Sequence, residues 1–161
     1  PHVRALRPGP LMENLLHEVQ PLSEGIFPVV NGPDIDMALV AAADVGDVAA
    51  ELMRDDAWTG FEVIPVRGPE VLSTVEIAKR MSTILGIEIT AVAITADELV
   101  AEMTNFGMAP GAAKEVAAVF DTGDKVDNTD TPTTQITTTS VDTFTSTRLA
   151  PIIASMSNDH S

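Results

Sequence analysis

Short apolar runs alternate with apolar repeats of helical spacing along the first part of the chain. Val3–Leu6 reads as a strand, and Pro8-Gly9-Pro10 ends it. Apolar residues then recur at helical intervals, which predicts a helix over Leu11–Val19 that Pro21 terminates. This region therefore predicts a strand that passes directly into a helix.

The same alternation continues through the middle of the chain. Gly25–Val30 and Ile35–Ala42 are expected to be extended, and Asp44 is expected to cap a helix over Val45–Arg54. The segment "FEVIPVRG", residues 61–68, has the continuous apolar pattern of a buried strand.

Capping signals mark two further helices. Ser73 with Glu76 and Thr95 with Glu98 have the spacing of capping boxes, and Gly86 stands where a helix-ending glycine belongs. Between these helices Ile87–Ile94 is predicted to be a strand.

The last third of the chain changes in composition. Ala112–Phe120 is predicted to be a helix, residues 122–139 a threonine-rich loop, and Ser140–Met156 a terminal helix before a frayed tail. Alternating strands and helices predict an α/β fold with a small, mostly parallel sheet and packed helices. The expected divisions are residues 1–121, 122–139 and 140–161.

Charge and composition narrow the classes of partner. The chain of 161 residues has 24 acidic and 9 basic residues, a net charge of −15. Such a surface repels phosphate backbones and anionic lipids, so we expect neither nucleic acid nor membrane partners. There is no cysteine and no tyrosine. Thiol chemistry is excluded, no metal site is predicted, and a cytoplasmic location is expected.

Three motifs in register resemble a known family. They are "LRPGPLMENLL" (Leu6–Leu16), "ALVAAADVGDVAAELM" (Ala38–Met53) and "VIPVRGPEVLSTVEIAKRMSTILG" (Val63–Gly86). Together with "TSVDTFTSTRLA" near the end, they resemble the C-terminal half of NmrA-like proteins, which are atypical short-chain dehydrogenases/reductases. The resemblance implies a partial Rossmann-like domain and NAD(P) as cofactor.

Two signatures of the wider family are not found in this sequence. The glycine-rich loop that holds the cofactor pyrophosphate has no counterpart, and the Tyr-x-x-x-Lys pair cannot occur without tyrosine. The resemblance therefore covers the substrate side of the family fold. We expect a further copy of the chain, or a separate N-terminal half, to associate with it.

The resemblance also implies candidate site residues, while no catalytic residue can be assigned. The turn Pro8-Gly9-Pro10 is expected near the cofactor. Substrate contacts are expected from the helix start and from the segment "NFGMAPG" with its neighbours: Met12, Glu13, Asn14, Met103, Phe106 and Met108. The alternative for each of these residues is a structural role as strand end, helix start or core packing.

Three functions remain open from the sequence. The chain is the substrate-side portion of an NAD(P)-dependent oxidoreductase acting on a small organic carbonyl or enone, or a redox-sensing regulator that binds the cofactor without turnover. The third hypothesis is a cofactor-independent enzyme or small-molecule binder on a trimmed fold.

Overall fold

The computed structural model describes residues 2–30, 32–120 and 130–158. The strands are β1 (Val3–Pro8), β2 (Ile26–Val30), β3 (Asp36–Met37), β4 (Phe61–Arg67), β5 (Leu72–Ser73), β6 (Thr90–Ile94) and β7 (Gln135–Ile136). The α-helices are α1 (Val19–Ser23), α2 (Ala42–Arg54), α3 (Thr74–Leu85), α4 (Ala96–Asn105), α5 (Pro110–Phe120), α6 (Val141–Phe144) and α7 (Ala150–Asn158). A 3-10 helix spans Met12–Leu16, and a π-helical segment, Thr145–Leu149, joins α6 to α7.

Most strand pairing is parallel. β4 lies between β1 and β7 in one parallel sheet, and β2 pairs with β6 in a second. The two-residue strands β3 and β5 form an antiparallel pair. The predicted α/β fold with a small, mostly parallel sheet is confirmed.

The core forms around α3. Ile77 and Met81 of this helix are fully buried, and so are Leu22 of α1 and Leu149 of the π-helical segment. The segment from α6 through the π-helical turn packs against α3, which anchors the predicted terminal helix. Among the residues described, no helix is long and apolar enough to cross a bilayer.

Helix ends that were predicted from local motifs are confirmed. The Ser73 hydroxyl accepts a hydrogen bond from the Glu76 N–H at 3.2 Å, but the Glu76 carboxylate accepts from Arg80, so the predicted capping box is only half formed. Thr95 with Glu98 forms a complete capping box. Gly86 ends α3 with φ at +69°, a left-handed conformation that glycine adopts without strain.

The prediction of a single helix over Leu11–Val19 is wrong. Amide groups of residues 14, 17 and 18 bond to carbonyls three residues earlier, so the first part is a 3-10 helix. A separate helix α1 then begins at Val19 and contains Pro21, which was expected to end it. Proline is tolerated there because the first-turn N–H groups of a helix have no intrahelical partner.

The segment Ile35–Ala42 is extended over a shorter stretch than predicted, and α2 begins earlier. Only Asp36–Met37 forms a strand, with one further bridge between Leu11 and Val40. The residue before α2 is Ala41, so Asp44 lies inside the first turn and is not its cap.

Asp44 has a different structural partner. Its carboxylate accepts hydrogen bonds from the N–H and the hydroxyl of Thr139, at 3.0 and 2.8 Å. Burial alone would raise the pKa of Asp44, but these hydrogen bonds outweigh burial and hold the pKa below its usual value. Asp44 therefore fixes the segment that precedes the terminal helix.

The threonine-rich segment is only partly a loop. Residues 121–129 lie outside the described residues, whereas Gln135–Ile136 adds a short parallel strand beside β4. Arg67 of β4 donates two hydrogen bonds of 2.7 Å to the carboxylate of Asp130, which lies before this strand in the chain.

The strand predicted over Ile87–Ile94 begins later, at Thr90.

Candidate functional site

A cavity of about 760 Å³ opens between the 3-10 helix, strand β2 and helix α4. Its walls also include residues from the end of β6, the loop after α4 and helix α5. Most of the lining is aliphatic or aromatic: Leu11, Leu15, Phe27, Val29, Leu39, Ile94, Leu99 and Val116. Apolar concave sites of this size are typical of pockets for small organic molecules.

The cavity brings together five of the residues predicted from the family resemblance. These residues are Pro10, Asn14, Met103, Phe106 and Met108. They come from separate parts of the chain. The cavity lining combines the turn after β1 with the end of α4 and the loop that follows it. Four other predicted residues, Pro8, Gly9, Met12 and Glu13, are not part of the lining.

Met12 and Glu13 stabilise the fold beneath the cavity. Met12 is only 1% exposed and belongs to the main hydrophobic core. The Glu13 carboxylate accepts a hydrogen bond of 2.9 Å from the N–H of Ala42, the first residue of α2. An acceptor there satisfies one of the amide groups that a helix start leaves open.

The Pro8-Gly9-Pro10 turn is tied to its neighbours by backbone hydrogen bonds. The Gly9 N–H donates to the Val66 carbonyl at 2.8 Å. The Val40 N–H donates to the Pro10 carbonyl, and the Met12 N–H donates to the Val40 carbonyl, at 3.0 and 2.9 Å. The turn thus packs closely against the segment 38–40, and its proline nitrogens carry no donor.

An apolar rim borders the cavity on the α4 side. Gly107 has φ at +93° and lets the chain reverse after the helix, so that the Met108 N–H bonds to the Met103 carbonyl at 3.0 Å. Phe106 is 78% exposed although it lines the cavity. Methionine side chains adapt to irregular shapes, so this rim suits apolar ligands of different outlines.

Two carboxylic acids, Glu18 and Glu102, also line the cavity. Glu18 Oε2 is buried and has no hydrogen-bond partner among the described residues. Burial, together with the nearby charge of Glu102, raises the pKa of Glu18 to about 7. Groups that titrate near neutral pH are frequent at functional sites.

The sequence pattern did not single out these two acids. Glu18 lies in the turn between the 3-10 helix and α1, which the periodicity merged into one helix. Glu102 lies far away in the chain on α4, where it continues an ordinary polar face. The two acids are too far apart in the sequence for any local spacing to predict that they line one cavity.

The remaining polar lining is sparse. Asn14 and His17 contribute exposed polar side chains, and no lysine or arginine lines the cavity within the part of the chain that the structure describes. No group of three or more potential metal ligands occurs among those residues. The cavity can therefore offer hydrogen bonds and apolar contacts, with an acidic character overall.

Comparison with known proteins gives relatives of one kind. The chain is 31% identical over 118 residues to an NAD(P)H azoreductase from Xenophilus azovorans, a match that covers 71% of this chain and 40% of the relative. No protein-family model matches. This chain thus spans less than half the length of that curated relative.

Solved structures share the fold. An NADPH-dependent quinone oxidoreductase from Escherichia coli matches with a TM-score of 0.65 at 21% identity, over 96% of this chain and 55% of its own. The triphenylmethane reductase from Citrobacter sp. matches with a TM-score of 0.64 at 15% identity, over 80% of this chain and 46% of its own. With these similarities, the resemblance of the chain to the C-terminal half of NmrA-like, atypical short-chain dehydrogenases/reductases is confirmed.

Proposed function

We propose that this chain forms the substrate-binding side of an NAD(P)-dependent oxidoreductase, and that its cavity receives a small organic carbonyl or enone. The observation that carries the proposal is the cavity of about 760 Å³ with its predominantly apolar walls. Quinone and azo compounds appear in the names of two similar proteins. Such molecules are flat and apolar, with a few hydrogen-bond acceptors.

The cofactor would lie at the Pro8-Gly9-Pro10 side of the cavity, because Pro10 is part of the lining. The amide groups of Gly9 and Met12 are already bonded within the fold, so the turn suits contact with a ring better than binding of a phosphate. When bound, the nicotinamide ring supplies the hydride. This chain's own residues contribute the binding and orientation of the substrate.

Ligand binding to the chain alone tests the proposal. Titration with 1,4-naphthoquinone by calorimetry is expected to show binding that the variant Phe106→Ala weakens roughly tenfold, about 1.4 kcal/mol. Phe61→Ala is the matched control, because Phe61 is similarly exposed but lies outside the cavity lining. Absence of quinone binding, or equal loss in both variants, would contradict the proposal.

A second measurement tests whether this chain binds the cofactor without a partner. We expect no micromolar NAD(P)H binding by this chain alone, because its sequence has no glycine-rich phosphate loop. We further propose that a second copy, or a separate N-terminal half, completes the protein. Light scattering after size-exclusion chromatography measures the assembly, and a stable monomer that binds NAD(P)H tightly would refute both expectations.

A further inference from the structure

The setting of Glu18 favours the neutral form of its side chain. Glu18 lines the apolar cavity, and its Oε2 atom has neither exposed surface nor a hydrogen-bond partner among the described residues. A buried carboxylate oxygen without a donor is costly, whereas a neutral carboxyl group loses much less on burial.

The charges that face Glu18 act in the same direction. Glu102 of α4 lines the same cavity and disfavours a second negative charge. His17 is the remaining titratable group in the described lining, and no lysine or arginine there offers a compensating cation. Glu18 therefore holds its proton at a pH at which glutamates are normally ionised.

A neutral carboxylic acid has one hydrogen-bond donor, which an ionised carboxylate lacks. Because Oε2 is covered, Oε1 is the oxygen of Glu18 through which a ligand in the cavity would make contact. Asn14 is exposed, and so is His17, so water competes for both of them more strongly than for Glu18. The chemistry that fits Glu18 is an acceptor atom on an uncharged, apolar molecule.

We propose that Glu18, as a neutral carboxylic acid, donates a hydrogen bond from Oε1 to the oxygen of a carbonyl ligand and so selects uncharged acceptors. The inference rests on the proposed function, whose ligand class it specifies further. Anionic ligands such as carboxylates are disfavoured by the same pair of acids. Ligand affinity should consequently fall as the pH rises and Glu18 loses its proton.

The test measures ligand affinity as a function of pH with the full chain. Binding of 1,4-naphthoquinone is followed by calorimetry from pH 5.5 to 8.5, with naphthalene as the matched ligand without oxygens. The chain has no cysteine, so the quinone meets no thiol. With a pKa of about 7, quinone binding should weaken about tenfold by pH 8, while naphthalene binding stays constant.

Three variants separate Glu18 from its neighbours. Glu18→Gln keeps a neutral donor and should bind the quinone with constant affinity across this pH range. Glu102→Gln removes the repelling charge and should move the midpoint to lower pH. His17→Gln should retain the pH dependence. That result would show that the dependence does not come from the histidine in the lining.

The outcomes distinguish this inference from the proposed function. Quinone binding without pH dependence, or with a dependence that His17→Gln abolishes, overturns the role of Glu18 and leaves the proposed function standing. Affinity that rises with pH overturns it as well, because it indicates a ligand held by ionised acids. No quinone binding at any pH overturns both. Carbon NMR of the Glu18 carboxyl in the ligand-free chain gives an independent reading, and ionisation below pH 5 would refute the inference.

Discussion

The close packing at Gly9 predicts a substitution that should destabilise the protein on steric grounds alone. A Cβ atom at Gly9 would lie 2.6 Å from the Ala38 carbonyl oxygen, so one of the two segments must move by roughly 0.5–1 Å. The segment 38–40 cannot move easily, because it is buried and Val40 is hydrogen-bonded to both Pro10 and Met12. Overpacking of this kind costs about 1–3 kcal/mol.

The gain from a less flexible unfolded chain offsets part of this cost, about 0.4–1 kcal/mol. We therefore expect Gly9→Ala to lower the free energy of unfolding by about 1–2 kcal/mol. For a chain of this length the melting temperature should fall by roughly 2–8 °C. The same close approach recurs at Gly68, where a Cβ atom would collide with the Leu39 carbonyl.

Gly46→Ala is the matched control. Gly46 lies exposed within α2, and a Cβ atom there meets no other atom within 4 Å. Alanine at this position should raise the free energy of unfolding by about 0.5–1 kcal/mol. Urea unfolding followed by far-ultraviolet circular dichroism measures both variants. If Gly9→Ala proves as stable as the wild type, the steric reasoning fails.

Three further predictions concern single acidic residues. Asp44→Ala should cost roughly 1–2 kcal/mol in urea unfolding by releasing Thr139, whereas the exposed neighbour Asp47→Ala should stay within about 0.5 kcal/mol of wild type. Glu13→Ala should cost about 1 kcal/mol and Glu13→Gln less, because the amide oxygen can still accept from the start of α2; equal losses would contradict this. Since the pKa of Glu18 is raised to about 7, the folded state holds a proton that the unfolded state releases, and stability should fall as pH rises from about 4.5 to 7. Glu18→Gln should flatten that fall, and an unchanged slope would argue against the burial described.

Features set by neighbours in the chain could be predicted from the sequence. The caps at Ser73 and Thr95 and the end of α3 at Gly86 depend on residues within one helical turn, so their spacing is sufficient. At these three positions the local pattern and the tertiary structure agree. Met103 and Phe106, which also line the cavity, were indicated by the family resemblance and not by local spacing.

Features set by distant residues could not be predicted. The acceptor at the start of α2 is Glu13, 29 positions earlier, and this explains why Asp44 was mistaken for the cap. Asp44 instead bonds to Thr139, 95 positions later. Glu18 and Glu102 line the same cavity although they are 84 positions apart in the chain. Periodicity carries no information about such contacts.

The order of strand pairing has a consequence for how this chain folds. β1 pairs with β4 and β2 pairs with β6, so each pair encloses one strand of the other in the sequence. During synthesis β2 therefore remains without its parallel neighbour β6 even after β1 and β4 have paired. Such interleaved, long-range pairing slows folding and exposes strand edges to other chains. A product that stops after β4 would contain an unpaired β2, so we expect it to aggregate. The pairs β1–β4 and β2–β6 can both be present only after β6 has been made.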